Sequence, residues 1–184
     1  MLTVTAKSVF MYRAIIMTQR WRFIVYLLVS IAVIMLDQWS KVIADAQLQY
    51  GQPVTVLPVF NWLLQYNYGA AFSFLSDAGG WQRWFFVVVS AGVSAGLLVW
   101  IYRLKNQQTL LAIALVFILG GALGNLWDRL ILGYVIDFIS LHWNEYYFPA
   151  FNVADAAISL GVGLMLLDMI IHPENHRDDS IKPS

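Results

Sequence analysis

Asn152 and Asp155 stand three residues apart, and Asn125, Asp128 and Arg129 stand at i, i+3 and i+4. On a helix each set shares one face, since three residues rise about 4.5 Å. Asn152 suits an N-cap, and Asp155 then falls in the positive first turn of the helix that follows. Burial pushes such an acid the other way, toward holding a proton. Asp155 alone therefore leaves a purely capping reading and a catalytic one open. Asp137 interrupts the apolar run Tyr134-Val135-Ile136-Asp137-Phe138-Ile139 and has no basic neighbour. A lone loop aspartate is ordinarily solvated, but beside Asp155 it becomes half of a pair. Two carboxylates a few ångström apart do not both ionise cheaply, so one keeps a proton and the other does not. Such a pair supplies a base to activate water and an acid to protonate a leaving amine, as in aspartic proteases.

The other polar residues in apolar surroundings have plainer explanations. Asp37 and Lys41 form an i, i+4 ion pair that reads as structural. Arg129 next to Asp128 reads as a helix-end neighbour that neutralises the acid. Gly120, Gly121 and Gly124 let another backbone approach closely, and Gly92 with Gly96 supplies a second small-xxx-small pair; both sets read as packing. Asp168 falls at the opposite end of its segment, where a carboxylate reaches water. Other chemistries are poorly supplied. The histidines are His142, His172 and His176, two of them in the C-terminal tail, so neither a metal ligand set nor a cofactor is expected. With no cysteine there is no thiol nucleophile and no disulfide framework. No serine stands at a recognisable spacing from a base, and no phosphate-binding glycine loop is present.

The composition determines what scaffold must hold these groups. Of 184 residues, 60% are hydrophobic and 12% charged, against about 45–50% and about 25% in soluble domains. Mean hydropathy is +0.65. Eight Trp and nine Tyr suit a chain with membrane–water boundaries. Eleven basic and eleven acidic residues cancel, leaving no net field to attract nucleic acid. A soluble enzyme is excluded. Four apolar segments, 23–42, 84–102, 110–127 and 152–171, approach or reach the roughly 20 helical residues that cross a hydrocarbon core. Helices satisfy the backbone in lipid without closing a barrel. The expected fold is an α-helical integral membrane protein with four transmembrane helices.

Charge sets the orientation. Lys7, Arg13, Arg20 and Arg22 precede the first segment, Arg103 and Lys105 lie between the second and third, and Arg177 and Lys182 lie in the tail. The other two connections hold Arg83 and Arg129, with Lys41 at a helix end. Eight basic residues against three put both termini in the cytoplasm. The long connections 43–83 and 128–151 then face outward. Asp37, Asn125, Asp128, Arg129, Asn152 and Asp155 fall near that outer boundary, where ionisable groups are costly and usually functional. From Val54 to Phe74 the chain is rich in β-branched and aromatic residues punctuated by Pro53 and Pro58, and the run after Gly133 reads similarly. Short strands forming a small β-rich extracytoplasmic subdomain on the membrane surface are expected. Residues 1–22 read as a cytoplasmic leader, with Met17 a candidate start, and residues 172–184 as a cytoplasmic tail. Ala44-Asp45-Ala46 could pass for a signal-peptide cleavage site, but Asp37 and Lys41 separate it from the apolar run, so the first segment is read as a span.

Four motifs in this order resemble the lipoprotein signal peptidase (signal peptidase II) family. They are Asn67-Tyr68-Gly69-Ala70-Ala71-Phe72, the stretch from Gly120 to Arg129, Val135-Ile136-Asp137-Phe138, and Phe151-Asn152-Val153-Ala154-Asp155-Ala156. Asp37 with Lys41 at the end of the first helix fits too, and the likeness covers residues 20–171. The resemblance implies a bacterial inner-membrane aspartic endopeptidase with its site near the periplasmic face. Its substrates would be diacylglyceryl-modified prolipoproteins, cut immediately before the lipidated cysteine, and its other partner the phospholipid bilayer. Asp137 and Asp155 would be the catalytic pair. Asn67, Asn125, Arg129 and Asn152 would line the site and hold substrate. Asp37, Lys41, Gly69, Gly124, Asp128 and Ala154 would support it. The family is also the target of a cyclic lipopeptide antibiotic that occupies this site. One chain supplies every one of these residues, so a monomer is expected. Two rival readings are a proton-coupled transporter, which calls for ionisable groups across the membrane depth, and a four-helix scaffold whose polar cluster is only caps.

Overall fold

The computed structural model describes residues 6–69, 80–105 and 107–173, with side chains from residue 19 onward. Four long helices, α1 (Ala6–Gln47), α2 (Trp81–Arg103), α3 (Thr109–Ile131) and α4 (Val153–Ile171), contain the four apolar segments. Each is long and apolar enough to cross a membrane. They overrun the expected limits. α1 begins well before Phe23 and continues past Val42, α2 takes in Arg83, and α3 runs through Asp128 and Arg129 to Ile131. Hydropathy falls where charged groups enter, but α2 and α3 continue there because Arg83, Asp128 and Arg129 find partners inside the protein.

Four strands, β1 (Val54–Leu57), β2 (Phe60–Asn67), β3 (Val135–Trp143) and β4 (Tyr146–Tyr147), form one antiparallel sheet in the order β1-β2-β3-β4. Pro53 precedes β1, and Pro58 lies in the turn between β1 and β2. The expected strand at Tyr134–Ile139 extends to Trp143 because β2 pairs along it, from Asn67 opposite Val135 to Phe60 opposite Leu141. Strand residues expected as far as Phe74, and Ala70-Ala71-Phe72 of the first motif, lie outside the described residues, as does the tail from residue 174. Gly133, at φ +89°, turns the chain from α3 into β3; that left-handed conformation favours glycine.

α3 is the central helix, packed on α1, α2 and α4. Leu97, Ile101 and Leu104 from the end of α2 meet Leu111, Leu115 and Leu119 of α3 in one apolar core. A second core, Ala44, Leu64, Ile136 and Phe138, seats the sheet on the bundle. Glycines set the closest approaches. A Cβ on Gly121 would collide with the carbonyl oxygen of Ala154, and one on Gly161 would stand 2.6 Å from that of Ala114. One on Gly120 would stand 2.7 Å from Cβ of Val33. The other glycine pair behaves differently from expectation: around Gly92 and Gly96 nothing lies within 4 Å of a Cβ position. α2 meets α3 through its Ser94, Leu97 and Ile101 face, which turns those glycines outward. Asp168 also departs from expectation. It is 1% exposed, 3.0 Å from Nδ1 of His172 at the end of α4; buried within the bundle end, it is not in reach of water as expected.

Candidate active site

The site lies where the sheet meets the N-terminus of α4. Asn152 is extended (φ −130°, ψ −175°) and closes a capping box with Asp155. The Asn152 Oδ1 accepts the Asp155 backbone N–H at 2.9 Å, and Oδ2 of Asp155 accepts the Asn152 backbone N–H at 3.3 Å. Two orphan donors of the helix start are thereby satisfied. The expected cap is present, yet it leaves Oδ1 of Asp155 for a second partner, Nδ2 of Asn125 at 2.7 Å. Asp137 comes from β3, opposite Gln65 of β2. Its Oδ2 accepts Nδ2 of Asn67 at 3.0 Å and its Oδ1 accepts Nδ2 of Asn152 at 2.6 Å. Asn152 therefore bonds both carboxylates, that of Asp137 through its side-chain amide and that of Asp155 through its backbone N–H.

The two acids share a cleft of about 650 Å³. Its lining includes the polar Asn67, Asn125 and Arg129 and the apolar Leu141, Phe148 and Ile158. Asp137 is 3% exposed. Burial, and after it the charge of Asp155, pushes its carboxyl up to about 7, against the amides of Asn67 and Asn152 and the more distant Lys41 charge, which pull it down. A proton is thus retained on Asp137 at pH values where an ordinary aspartate has lost it.

Behind the cleft lies a buried ion cluster. Lys41 Nζ stands 2.8 Å from Asp37 Oδ2 and 2.9 Å from Asp128 Oδ2, and donates to Asn125 Oδ1 at 2.9 Å. Because an ammonium only donates, this bond fixes the oxygen of Asn125 toward Lys41 and its NH₂ toward Asp155. Asp37 Oδ1 accepts the backbone N–H of Ala154 at 2.8 Å, tying α1 to the first turn of α4. Asp128 also accepts Gln38 Nε2 at 2.8 Å and the Ile136 N–H at 3.3 Å, which anchors β3. Gly124 leaves room for Asp37, whose Oδ2 would lie 2.7 Å from a Cβ there. The plain reading of Arg129 as the partner of Asp128 does not hold. Adjacent helical residues point in different directions, and Asp128 turns to Lys41 while Arg129 turns to the cleft. Arg129 Nη2 donates to the Gly69 carbonyl at 2.8 Å and Nη1 to that of Asn125 at 3.3 Å. The Gly69 N–H in turn donates to Asn67 Oδ1 at 3.0 Å.

Asn67, Asn125, Arg129, Asp137 and Asp155 line the cleft, whereas Asn152, expected to line it too, is fully buried beneath it, because its side chain is taken up by the helix cap and by Asp137. Sequence reasoning missed Gln38, which donates to Asp128. Gln38 had a usable signal, an amide inside an apolar segment. Among the described residues no group of three or more His, Asp and Glu side chains is placed to hold a metal ion. What the arrangement offers is two differently solvated carboxylates, a guanidinium and a set of amides around one cleft.

Comparison with known proteins points the same way. A family model described as Signal peptidase (SPase) II matches residues 29–171. The lipoprotein signal peptidase of Pseudomonas aeruginosa is 54% identical over 146 residues, covering 78% of this chain and 86% of that protein. That of Acinetobacter baumannii is 53% identical over 145 residues, covering 79% and 82%. A bacterial membrane enzyme solved by the in meso method at 2.3 Å resolution is similar with a TM-score of 0.73 and 28% identity, over 86% of this chain and 94% of that one. A second such structure, at 1.9 Å resolution, is similar with a TM-score of 0.68.

Proposed function

The chain belongs to the signal peptidase II family and is a membrane-spanning hydrolase that processes lipoproteins, and from that premise we propose how its residues carry out the reaction. The substrate is a diacylglyceryl-modified prolipoprotein, and the bond broken is the amide immediately before the lipidated cysteine. The observation that carries this reading is the shared hold of Asn152 on Asp137 and Asp155 at the edge of one cleft. Asp137 keeps the proton of the pair, since its carboxyl is pushed up to about 7. Asp155 is thereby the base. It takes a proton from water as the water oxygen bonds to the carbonyl carbon, and Asp137 gives its proton to the departing nitrogen. The products are a carboxyl on the signal peptide and a free α-amine on the cysteine. One proton passing from Asp155 to Asp137 restores the starting state.

The walls of the cleft suit the two halves of that substrate. Leu141, Phe148 and Ile158 offer an apolar surface to acyl chains. β1 pairs with residues 60–62 of β2, and beyond them Gln65, Tyr66 and Asn67 line the cleft, where an extended peptide can add as a strand. Arg129 has N–H groups beyond its two carbonyl bonds to meet a carbonyl or head-group oxygen. The same cleft is the seat for the family's cyclic lipopeptide antibiotic. The peptidase domain is residues 23–171 of a monomer in the bacterial inner membrane, with the leader and tail in the cytoplasm and the cleft at the periplasmic face. Charge asymmetry supports that orientation.

The test is cleavage of lipidated and unlipidated precursor by purified protein and by its Asp137→Asn and Asp155→Asn variants. Cleavage of the lipidated form alone, reduced about 10²- to 10⁴-fold or more in each variant, is the expected result. Undiminished cleavage by either variant rules out the pair, and equal cleavage of both precursors rules out lipid recognition.

A further inference from the structure

Arg129 reaches the cleft from the last turns of α3, and two residues of α2 hold it there. Arg83 donates from Nε to the carbonyl of Arg129 and from Nη2 to that of Leu130, both at 2.8 Å. These are carbonyls of a helix C-terminus, which have no partner within their own helix. A cation there also meets the negative end of the helix dipole. Three residues farther along α2, and so on the same face, the Phe86 ring lies under the other end of the same residue, 5.1 Å from Cζ of Arg129. The guanidinium thus lies against the ring and bonds to the carbonyls of Gly69 and Asn125. Arg129 is 9% exposed, and a desolvated guanidinium gains more from an aromatic face than an exposed one does. Both Arg83 and Phe86 stand outside the four motifs.

We propose that Arg83 and Phe86 are positioning residues for the reaction: Arg83 fixes the main chain of Arg129 and Phe86 seats its guanidinium in the substrate cleft. This rests on the proposal that Arg129 meets substrate. The ring contributes through its negative face as well as its bulk. α2 therefore has a second task beyond spanning the membrane, that of setting the direction in which the cleft-lining guanidinium of Arg129 points.

The experiment places 4-fluoro-, 3,5-difluoro- and 3,4,5-trifluorophenylalanine at position 86 of the full chain in detergent micelles. Each fluorine drains the ring face while the volume stays nearly constant. Cleavage of a diacylglyceryl-modified prolipoprotein is expected to fall stepwise with fluorine number, with an unchanged melting temperature. Phe86→Leu should lose roughly 3- to 30-fold in kcat/KM, and Phe86→Trp should exceed Phe86→Leu. Arg83→Gln is expected to lower kcat/KM in the same direction. A flat fluorine series, or losses that follow the melting temperature, overturns the seat; full activity of Arg83→Gln overturns the main-chain grip. Asp137→Asn is assayed alongside. If it is inactive and the series is flat, only this inference fails, whereas if it cleaves normally the proposed reaction itself fails.

Discussion

The side-chain amide of Asn152 donates to Asp137 at 2.6 Å, joining the residue before α4 to the third residue of β3. One residue thereby starts a helix and ties the two acids together. The two duties can be separated. Asn152→Ala removes both and should cost about 0.5–2 kcal/mol in stability through the lost cap. Asn152→Ser keeps a cap oxygen but has no amide to reach Asp137. Serine is expected to recover the melting temperature and not the cleavage rate, measured by thermal unfolding and single-turnover cleavage in the same micelles. Equal rates for Ser and Asn would assign Asn152 to capping alone.

The raised carboxyl of Asp137 has a pH signature with a definite sign. In the proposed reaction its proton goes to the leaving nitrogen, so cleavage should decline as pH rises through about 7. Stability moves the same way. The fold favours the protonated form, so this contribution is full below the unfolded value of about 3.9 and is lost as pH rises through the folded one. Asp137→Asn carries no such charge. Its melting temperature should gain on that of the parent as pH rises across this interval, and a constant difference from acid to alkaline pH would contradict the assignment.

Lys41 is 1% exposed and stands between two carboxylates that are equally buried. Lys41→Met preserves length and leaves Asp37 and Asp128 without their cation. Breaking a buried pair in this way costs about 3–5 kcal/mol. The loss should be visible in chemical unfolding, and cleavage should fall as well, because Asn125 loses the donor that orients it toward Asp155.

Glycines of one sequence pattern should respond oppositely to alanine. Gly121→Ala drives a methyl into the carbonyl of Ala154, which is backbone of the first turn of α4 and cannot swing aside. Loss of folded protein is expected, read by size-exclusion chromatography. Gly92→Ala and Gly96→Ala meet open space and should leave the melting temperature unchanged or slightly raised.

That contrast shows what the sequence could and could not convey. Asp137 and Asp155 were legible because an acid in an apolar run is costly wherever it lies, and Asn152 because a cap has a fixed offset from its helix. The spans were legible from length and hydropathy. The neighbours of each face were not. Nothing in the spacing distinguishes Gly92 and Gly96, which meet nothing, from Gly161, which meets the Ala114 carbonyl. Arg83 reads as loop charge for the same reason: its acceptors, the carbonyls of Arg129 and Leu130, depend on where α3 ends, and hydropathy ends that helix too early. Spacing pairs Asp128 with its neighbour Arg129, whereas its partner in the fold, Lys41, stands 87 residues earlier in the chain.

The seam between α3 and α4 is main chain against main chain, at Gly121 with Ala154 and at Gly161 with Ala114. Surfaces in such intimate register have no side-chain cushion to compress, so sliding or parting them forfeits the whole contact at once. Asp155 and Asn125 consequently sit on a fixed anvil. Through the Asn152 bond to its carboxylate, Asp137 is fastened to that same anvil.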